Sequence, residues 1–128
     1  MISPPATQDS YLYQDEPIWS RSEKALARKA FDAALKRELH ELIQEAKKMP
    51  SQIQQSSDLW DWKHCLTQRR KEINRKYDYR YSQITRVFGR LLYDERLPEE
   101  GLRGLGEDKL KPIRFFRSFA KIAAADMA

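Results

Sequence analysis

The stretch formed by residues 58–96 contains no proline and a single glycine, Gly89. Its apolar residues recur at spacings of three, four and seven, which places them in one narrow stripe of a helix: Leu59, Leu66, Ile73, Tyr77, Ile84, Phe88 and Leu91. As one continuous helix the stretch would be roughly 50–60 Å long. Within residues 67–83 the only non-aromatic apolar residue is Ile73. Such a polar helix needs a partner along its stripe, and the candidates are the rest of the chain and a second copy of it.

Two features of this helix are open to a structural and a functional interpretation. Arg70 falls on the stripe where a leucine is expected. Either its alkyl stem packs while the guanidinium reaches solvent or a carboxylate, or the group is functional and, if buried or half-buried, needs a fixed partner. Trp60 and His64 lie one turn apart on a neighbouring face, beside Asp61 and Lys63. This group is either a contact patch for another protein or ordinary packing of Trp60 against the preceding helix.

Capping and stop signals delimit the other helices. Ser20 and Glu23 form an S-x-x-E capping box that begins the first helix, and Met49-Pro50-Ser51 ends it after about Lys48. Ser57 or Asp58 is expected to cap the long helix. After Pro98 and a glycine-rich turn, Asp108 is expected to cap a last helix with Pro112 in its first turn.

These signals predict an all-α fold in which two long helices form an antiparallel hairpin that carries a small C-terminal helical head. We expect residues 1–18 to be a mobile tail, residues 19–96 to form the long-helix region through which two chains dimerise, and residues 97–128 to form the head. With 128 residues the chain is one domain.

Composition excludes several classes of protein. Charged residues make up 34% of the chain and the mean hydropathy is −0.81. No apolar run is long enough to cross a membrane, and we expect no secretory signal. The lone Cys65 cannot form an intrachain disulfide, which fits a reducing cytoplasm.

The sequence offers no catalytic or metal-binding pattern that we recognise. The two histidines, His40 and His64, lie on different predicted helices without a second cysteine, so no zinc spacing exists. The neighbours His64 and Cys65 point about 100° apart on a helix and make a poor dyad. We therefore expect no enzyme activity, no metal and no cofactor.

The formal net charge of +5 and a pI near 9.4 suggest an acidic partner. QRRKEINRKYDYRY interleaves basic and aromatic residues, as nucleic-acid binding requires, but Glu72 and Asp78 interrupt the basic face. A basic helical nucleic-acid-binding protein is therefore one alternative, which we disfavour, and a helical scaffold is another.

The segment DLWDWKHCLTQRRKEINRKYDYRYS, preceded by PIWS and the first helix, resembles the fluorescence recovery protein family of cyanobacteria. The resemblance covers residues 17 to about 115. Its most specific part is Leu59-Trp60, Arg70, Glu72-Ile73, Lys76-Tyr77-Asp78, Arg80 and Val87-Phe88.

The resemblance implies an all-α homodimer without a cofactor. It also implies that the protein binds the C-terminal domain of the photoactivated orange carotenoid protein and speeds its return to the resting form. This would end quenching of phycobilisome fluorescence. The chain would be cytoplasmic, and its partner could bring it to the surface of thylakoid membranes.

The resemblance also assigns residues. The family's functional tryptophan and arginine correspond to Trp60 and Arg70, and a His-Asp pair that the family can carry between them is replaced by Lys63 and His64, with Asp61 as the nearest acid. Ile43 takes the position of the dimer interface on the first helix, and Arg86 stands where an aromatic residue can occur. The residues that we expect to contact the partner are Trp60, Lys63, His64 and Arg70, with Lys109 and Arg114 supplying charge in the head. The expected dimer interface comprises Leu39, Ile43, Leu66, Ile73 and Tyr77.

Overall fold

The structure is a computed structural model that describes residues 18–127. It contains four α-helices: α1 (Arg21–Lys48), α2 (Ser56–Lys76), α3 (Ile84–Tyr93) and α4 (Glu107–Met127). Short 3-10 helices at Pro50–Gln52 and Glu99–Leu102 connect α1 to α2 and α3 to α4. The all-α prediction is confirmed. The predicted tail lies almost entirely outside the described residues.

Both ends of α1 form as the local sequence predicts. The Ser20 hydroxyl accepts from the Glu23 backbone N–H at 3.1 Å, and the Glu23 carboxylate accepts from the Ser20 N–H at 3.0 Å. This reciprocal pair is the capping box, and Pro50 ends the helix. The cap of α2 differs slightly from the expectation, because the helix begins at Ser56 and Asp58 reaches back to the N–H groups of Gln54 and Gln55.

The predicted continuous long helix is wrong. α2 ends at Lys76, and the chain runs without helical structure until α3 begins at Ile84. In this interval Tyr77, Tyr79 and Tyr81 alternate with Asp78 and Arg80, so the three rings share one side of the chain.

Aromatic packing against α1 holds the interval. The Phe31 ring contacts Tyr77 and Tyr79 edge-on, with centroids 5.4 and 4.8 Å apart, and Tyr81 continues the row to Trp19 at 5.6 Å. On the other side of the chain, the guanidinium of Arg80 donates to the Asp78 carboxylate. The non-helical segment brings these rings to the same side, whereas in a continued helix neighbouring rings of the row would point about 200° apart.

The hydrophobic core lies at one end of the hairpin, between the first half of α1, α3 and α4. Its buried side chains are Trp19, Ala27, Ala30, Phe31, Ala34, Ile84, Val87, Phe88, Leu91, Leu92, Leu97, Leu102, Leu105 and Ile113. The core therefore crosses the expected boundary at residue 97, and the head includes α3 and the start of α1. At Gly89 the backbone of α4 comes so close that an added Cβ would lie 2.6 Å from the Cβ of Phe116.

Ion pairs hold the two arms of the hairpin in antiparallel register. The Glu38 carboxylate accepts from Lys76 at 2.9 Å and from the Tyr77 hydroxyl at 2.8 Å, and Arg69 pairs with Glu45 at 2.7 Å. Burial raises the pKa of Glu38, but the hydrogen bonds from Lys76 and Tyr77 outweigh this effect, so the pKa lies below its usual value. Glu38 is therefore ionised and serves as a structural anchor between α1 and the end of α2.

A second buried carboxylate joins the start of α1 to α4. Glu23 accepts from the Gly106 N–H at 2.8 Å and from the Lys109 ammonium at 2.9 Å. Hydrogen bonds from the backbones of Ser20 and Gly106, and then from Lys109, lower the pKa of Glu23 to about 2. The carboxylate is thus charged in the folded state and ties the capping box of α1 to the first turn of α4.

Candidate functional site

Helix α2 contributes almost nothing to the core of the protomer. Among its residues only Ile73 is buried, and Leu66 is half-buried. A 21-residue helix with so little buried area derives little stability from its own chain. Its exposed face is therefore available for contact with another molecule.

Trp60 is the most prominent side chain on this face, with 61% of its surface exposed. Ordinary packing against α1 therefore leaves most of the Trp60 side chain uncovered. The Lys63 ammonium lies 5.9 Å from the ring centroid, in cation–π range, and Leu59 beside it is also exposed. A partner that covers Trp60 and Leu59 would remove a large apolar area from water.

Arg70 lies at the surface, not in the stripe between the helices. The inward position is taken by its neighbour Arg69, whose guanidinium reaches Glu45 on α1. Arg70 has no ion-pair partner among the described residues. Within the described protomer no carboxylate therefore holds Arg70, and its guanidinium is available to a carboxylate on another molecule.

The helical geometry places Arg70 on the same side of α2 as Trp60. Ten residues separate them, which corresponds to about 15 Å along the axis and about 80° around it. Lys63 projects between them and His64 lies beyond Trp60, and both are exposed. Asp61 lies nine positions before Arg70, about 180° around the helix, so it cannot supply the acid that the family can carry near this arginine.

The apolar residues expected at a dimer interface fall into two groups. Leu39 and Ile43 on α1 are exposed, Ile43 by 53%, and Leu66 on α2 is half-buried. Ile73 is instead buried within the protomer, and Tyr77 is half-buried against Phe31 and Glu38. Leu39 and Ile43 therefore offer the most apolar surface to a second chain.

The two basic residues expected to supply charge in the head, Lys109 and Arg114, differ in their exposure. Arg114 is exposed and pairs with Glu107 at 3.1 Å. Lys109 is only 4% exposed, and its ammonium donates to Glu23, Asp108 and the Ile18 carbonyl. The expectation that Lys109 supplies surface charge is wrong, because the fold uses this charge to neutralise Glu23.

The basic segment considered for nucleic-acid binding has part of its charge paired with carboxylates of the protomer, while Arg70, Lys71 and Arg75 are exposed. Lys76 pairs with Glu38 and with Asp94 at 2.6 Å, and Arg80 is held by Asp78.

Within the described residues no group of three His, Cys, Asp or Glu side chains could hold a metal ion. No helix of that part is long and apolar enough to span a bilayer.

Comparison with known proteins agrees with the resemblance seen in the sequence. The profile of a family described as "Photoprotection regulator fluorescence recovery protein" matches residues 19–116. The fluorescence recovery protein of Synechocystis sp. is 38% identical over 103 residues, which is 80% of this chain and 94% of that protein.

Solved structures agree as well. The structure of the fluorescence recovery protein of Fremyella diplosiphon is similar to this chain with a TM-score of 0.74 and 37% sequence identity. The match covers 79% of this chain and 99% of that protein's chain. The Synechocystis protein gives the same TM-score of 0.74, identity of 37% and coverage of 79% and 99%. A mutant of the Synechocystis protein with one arginine changed to lysine gives a TM-score of 0.74 at 36% identity. This match also covers 79% of this chain and 99% of the mutant chain.

Proposed function

Because this chain belongs to the fluorescence recovery protein family, a family of photoprotection regulators, we propose that it binds the C-terminal domain of the photoactivated orange carotenoid protein. Binding accelerates the return of that protein from its red, active form to its orange, resting form. Quenching of phycobilisome fluorescence then ends. The chain carries out no covalent chemistry in this proposal.

The observation that carries the proposal is the exposed face of α2. It combines an uncovered tryptophan, Trp60, with an arginine, Arg70, that has no ion-pair partner in the described protomer. Tryptophan and arginine are the residues most enriched at the energetic centres of protein interfaces. In the described protomer neither side chain belongs to the hydrophobic core, whereas both could contribute binding energy to a protein partner.

Acceleration without chemistry places a physical requirement on this face. The protein must bind the transition state between the two forms of its partner more tightly than it binds the active form. A pair of contacts about 15 Å apart on one rigid helix can meet this requirement if both engage only when the partner's domains approach each other.

We further propose that two copies of the chain form a dimer through the outer part of the hairpin. Leu39 and Ile43 on α1 and Leu66 on α2 lie outside the hydrophobic core, and Leu39 and Ile43 expose apolar surface. A two-fold interface would cover this surface and would stabilise α2, which has only Ile73 buried in its own chain. Dimerisation would also present the Trp60 face twice.

The proposal is tested by mixing the protein with photoactivated orange carotenoid protein and following the red-to-orange absorbance change in the dark. We expect the relaxation to be faster than that of the carotenoid protein alone, in proportion to the amount added. An unchanged rate at saturating protein would contradict the proposal. A titration with duplex DNA at low and physiological salt tests the nucleic-acid alternative, since phosphate contacts lose affinity steeply with salt.

A further inference from the structure

The C-terminal half of α4 leaves one apolar side uncovered. Phe119 and Ile122 expose 60% and 61% of their surface, and Phe115 is similarly exposed. Between this half of α4, α3 and the end of α2 lies an open groove of about 850 Å³. One wall of the groove is apolar and is formed by Phe116, Phe119, Ala120 and Ala123.

The opposite wall is strongly basic. It carries Arg69, Arg75, Arg86 and Arg90, and the groove as a whole is lined by six basic and only three acidic side chains. Arg69 and Arg90 have carboxylate partners. In the described part of the chain Arg75 has none, and Arg86 donates only to the neutral amide of Gln83, at 3.0 Å. The groove therefore suits a ligand that is both aromatic and acidic.

The chain itself contains a segment of this chemistry. Residues 9–16, DSYLYQDE, place Tyr11, Leu12 and Tyr13 between Asp9 on one side and Asp15 and Glu16 on the other, without a basic residue. We propose that this segment occupies the groove of its own chain, with its rings on the α4 wall and its carboxylates facing Arg75 and Arg86.

The start of the described chain lies close enough for this contact. The Ile18 carbonyl accepts a hydrogen bond from Lys109 in the first turn of α4. Phe116 and Phe119 lie about 10 and 15 Å further along the same helix. Residues 11–13 are five to seven positions before Ile18, and an extended chain of that length spans about 17–24 Å.

Tethering makes a weak contact sufficient. Exposed ion pairs and one aromatic patch give little affinity in a bimolecular reaction. A connection of only a few residues supplies an effective concentration in the millimolar range, so a dissociation constant of about 1 mM would leave the groove about half occupied. The charge contribution should disappear at high salt.

A nitroxide spin label tests the contact in the full chain. We place it at Gln8→Cys on a Cys65→Ser background and record amide spectra of the isotope-labelled protein, without the carotenoid partner. We expect loss of the signals of residues 86–90 and 116–123. These signals should return when Asp9, Asp15 and Glu16 are changed to their amides, and also in the Arg75→Gln, Arg86→Gln variant. The matched control, Lys47→Gln with Lys48→Gln at the far end of the hairpin, should leave the broadening unchanged.

Three results would overturn the proposal. The first is a spectrum without broadening at the groove, and the second is broadening that survives the amide variants. The third is broadening that occurs only between molecules, when spin-labelled chains without isotope are mixed with isotope-labelled chains without spin label. That last result would assign the groove to the segment of a second copy. All three are distinct from failure of the carotenoid relaxation assay.

Discussion

Replacement of Lys109 by methionine should destabilise the fold more than any change at a comparable surface lysine. The ammonium is buried, donates to Glu23 at 2.9 Å and to Asp108 at 2.8 Å, and lies 5.7 Å from the Trp19 ring. Burial lowers the pKa of Lys109, but the hydrogen bonds to Asp108 and Glu23 outweigh this and raise it above the usual value. The group is therefore charged, and its loss leaves the Glu23 carboxylate without a cation.

The cost follows from the contacts that remain. Removal of one partner from a buried ion pair costs about 3–5 kcal/mol. Glu23 retains its hydrogen bonds from the Ser20 and Gly106 N–H groups, so we expect a loss of about 2–4 kcal/mol for Lys109→Met. Lys111→Met, on the exposed side of the same helix, should change the free energy of unfolding by less than about 0.5 kcal/mol.

Urea unfolding followed by circular dichroism measures both variants. The protomer concentration must be the same throughout, because dimerisation would add to the apparent stability. Equal losses for the two lysines would refute the reasoning, since they would show that the buried ammonium contributes no more than an exposed one.

Three further predictions concern the loss of stability at low pH, the contact between α3 and α4, and the dimer. Because the pKa of Glu23 falls from 4.5 to about 2 on folding, its contribution is complete above pH 4.5 and is lost as the pH falls toward about 2. The difference in unfolding free energy between wild type and Glu23→Gln should shrink over that interval, and a constant difference would contradict this. Gly89→Ala should destabilise the head by about 1–3 kcal/mol in urea titrations despite its better helix propensity, because the new methyl group would collide with Phe116. Ile43→Glu should yield monomers in light scattering while Lys47→Glu stays dimeric, and a monomeric wild type would refute the proposed interface.

The ends of α1 could be predicted from the sequence because their causes are local. Ser20 and Glu23 are three residues apart and bond each other, and Pro50 cannot continue a helix. Whether Trp60 is exposed or packs against α1 could not be predicted, because the sequence does not show where α1 lies relative to α2.

The break after Lys76 was missed because the helical spacing continues through Ile84 and Phe88. The alternation of Tyr77, Tyr79 and Tyr81 was the available signal for an extended segment. Its rings acquire their partner, Phe31, only through the tertiary fold. Tertiary packing also determines the burial of Lys109, whose partner Glu23 is 86 residues away in the chain. Charge in a sequence does not reveal which cations are buried.

The red-to-orange relaxation of the orange carotenoid protein, measured in the dark with Trp60 and Arg70 variants, tests the central claim most directly. Both side chains are exposed and lie outside the hydrophobic core, so Trp60→Leu and Arg70→Leu should keep wild-type helicity and unfolding free energy. Both should nevertheless lose most of the acceleration. Arg70→Lys separates a planar, bidentate contact, which lysine cannot replace, from a simple positive charge, which it can. If folded Trp60→Leu and Arg70→Leu proteins accelerate the relaxation as fast as wild type does, the exposed face of α2 is not the contact site and the account is wrong.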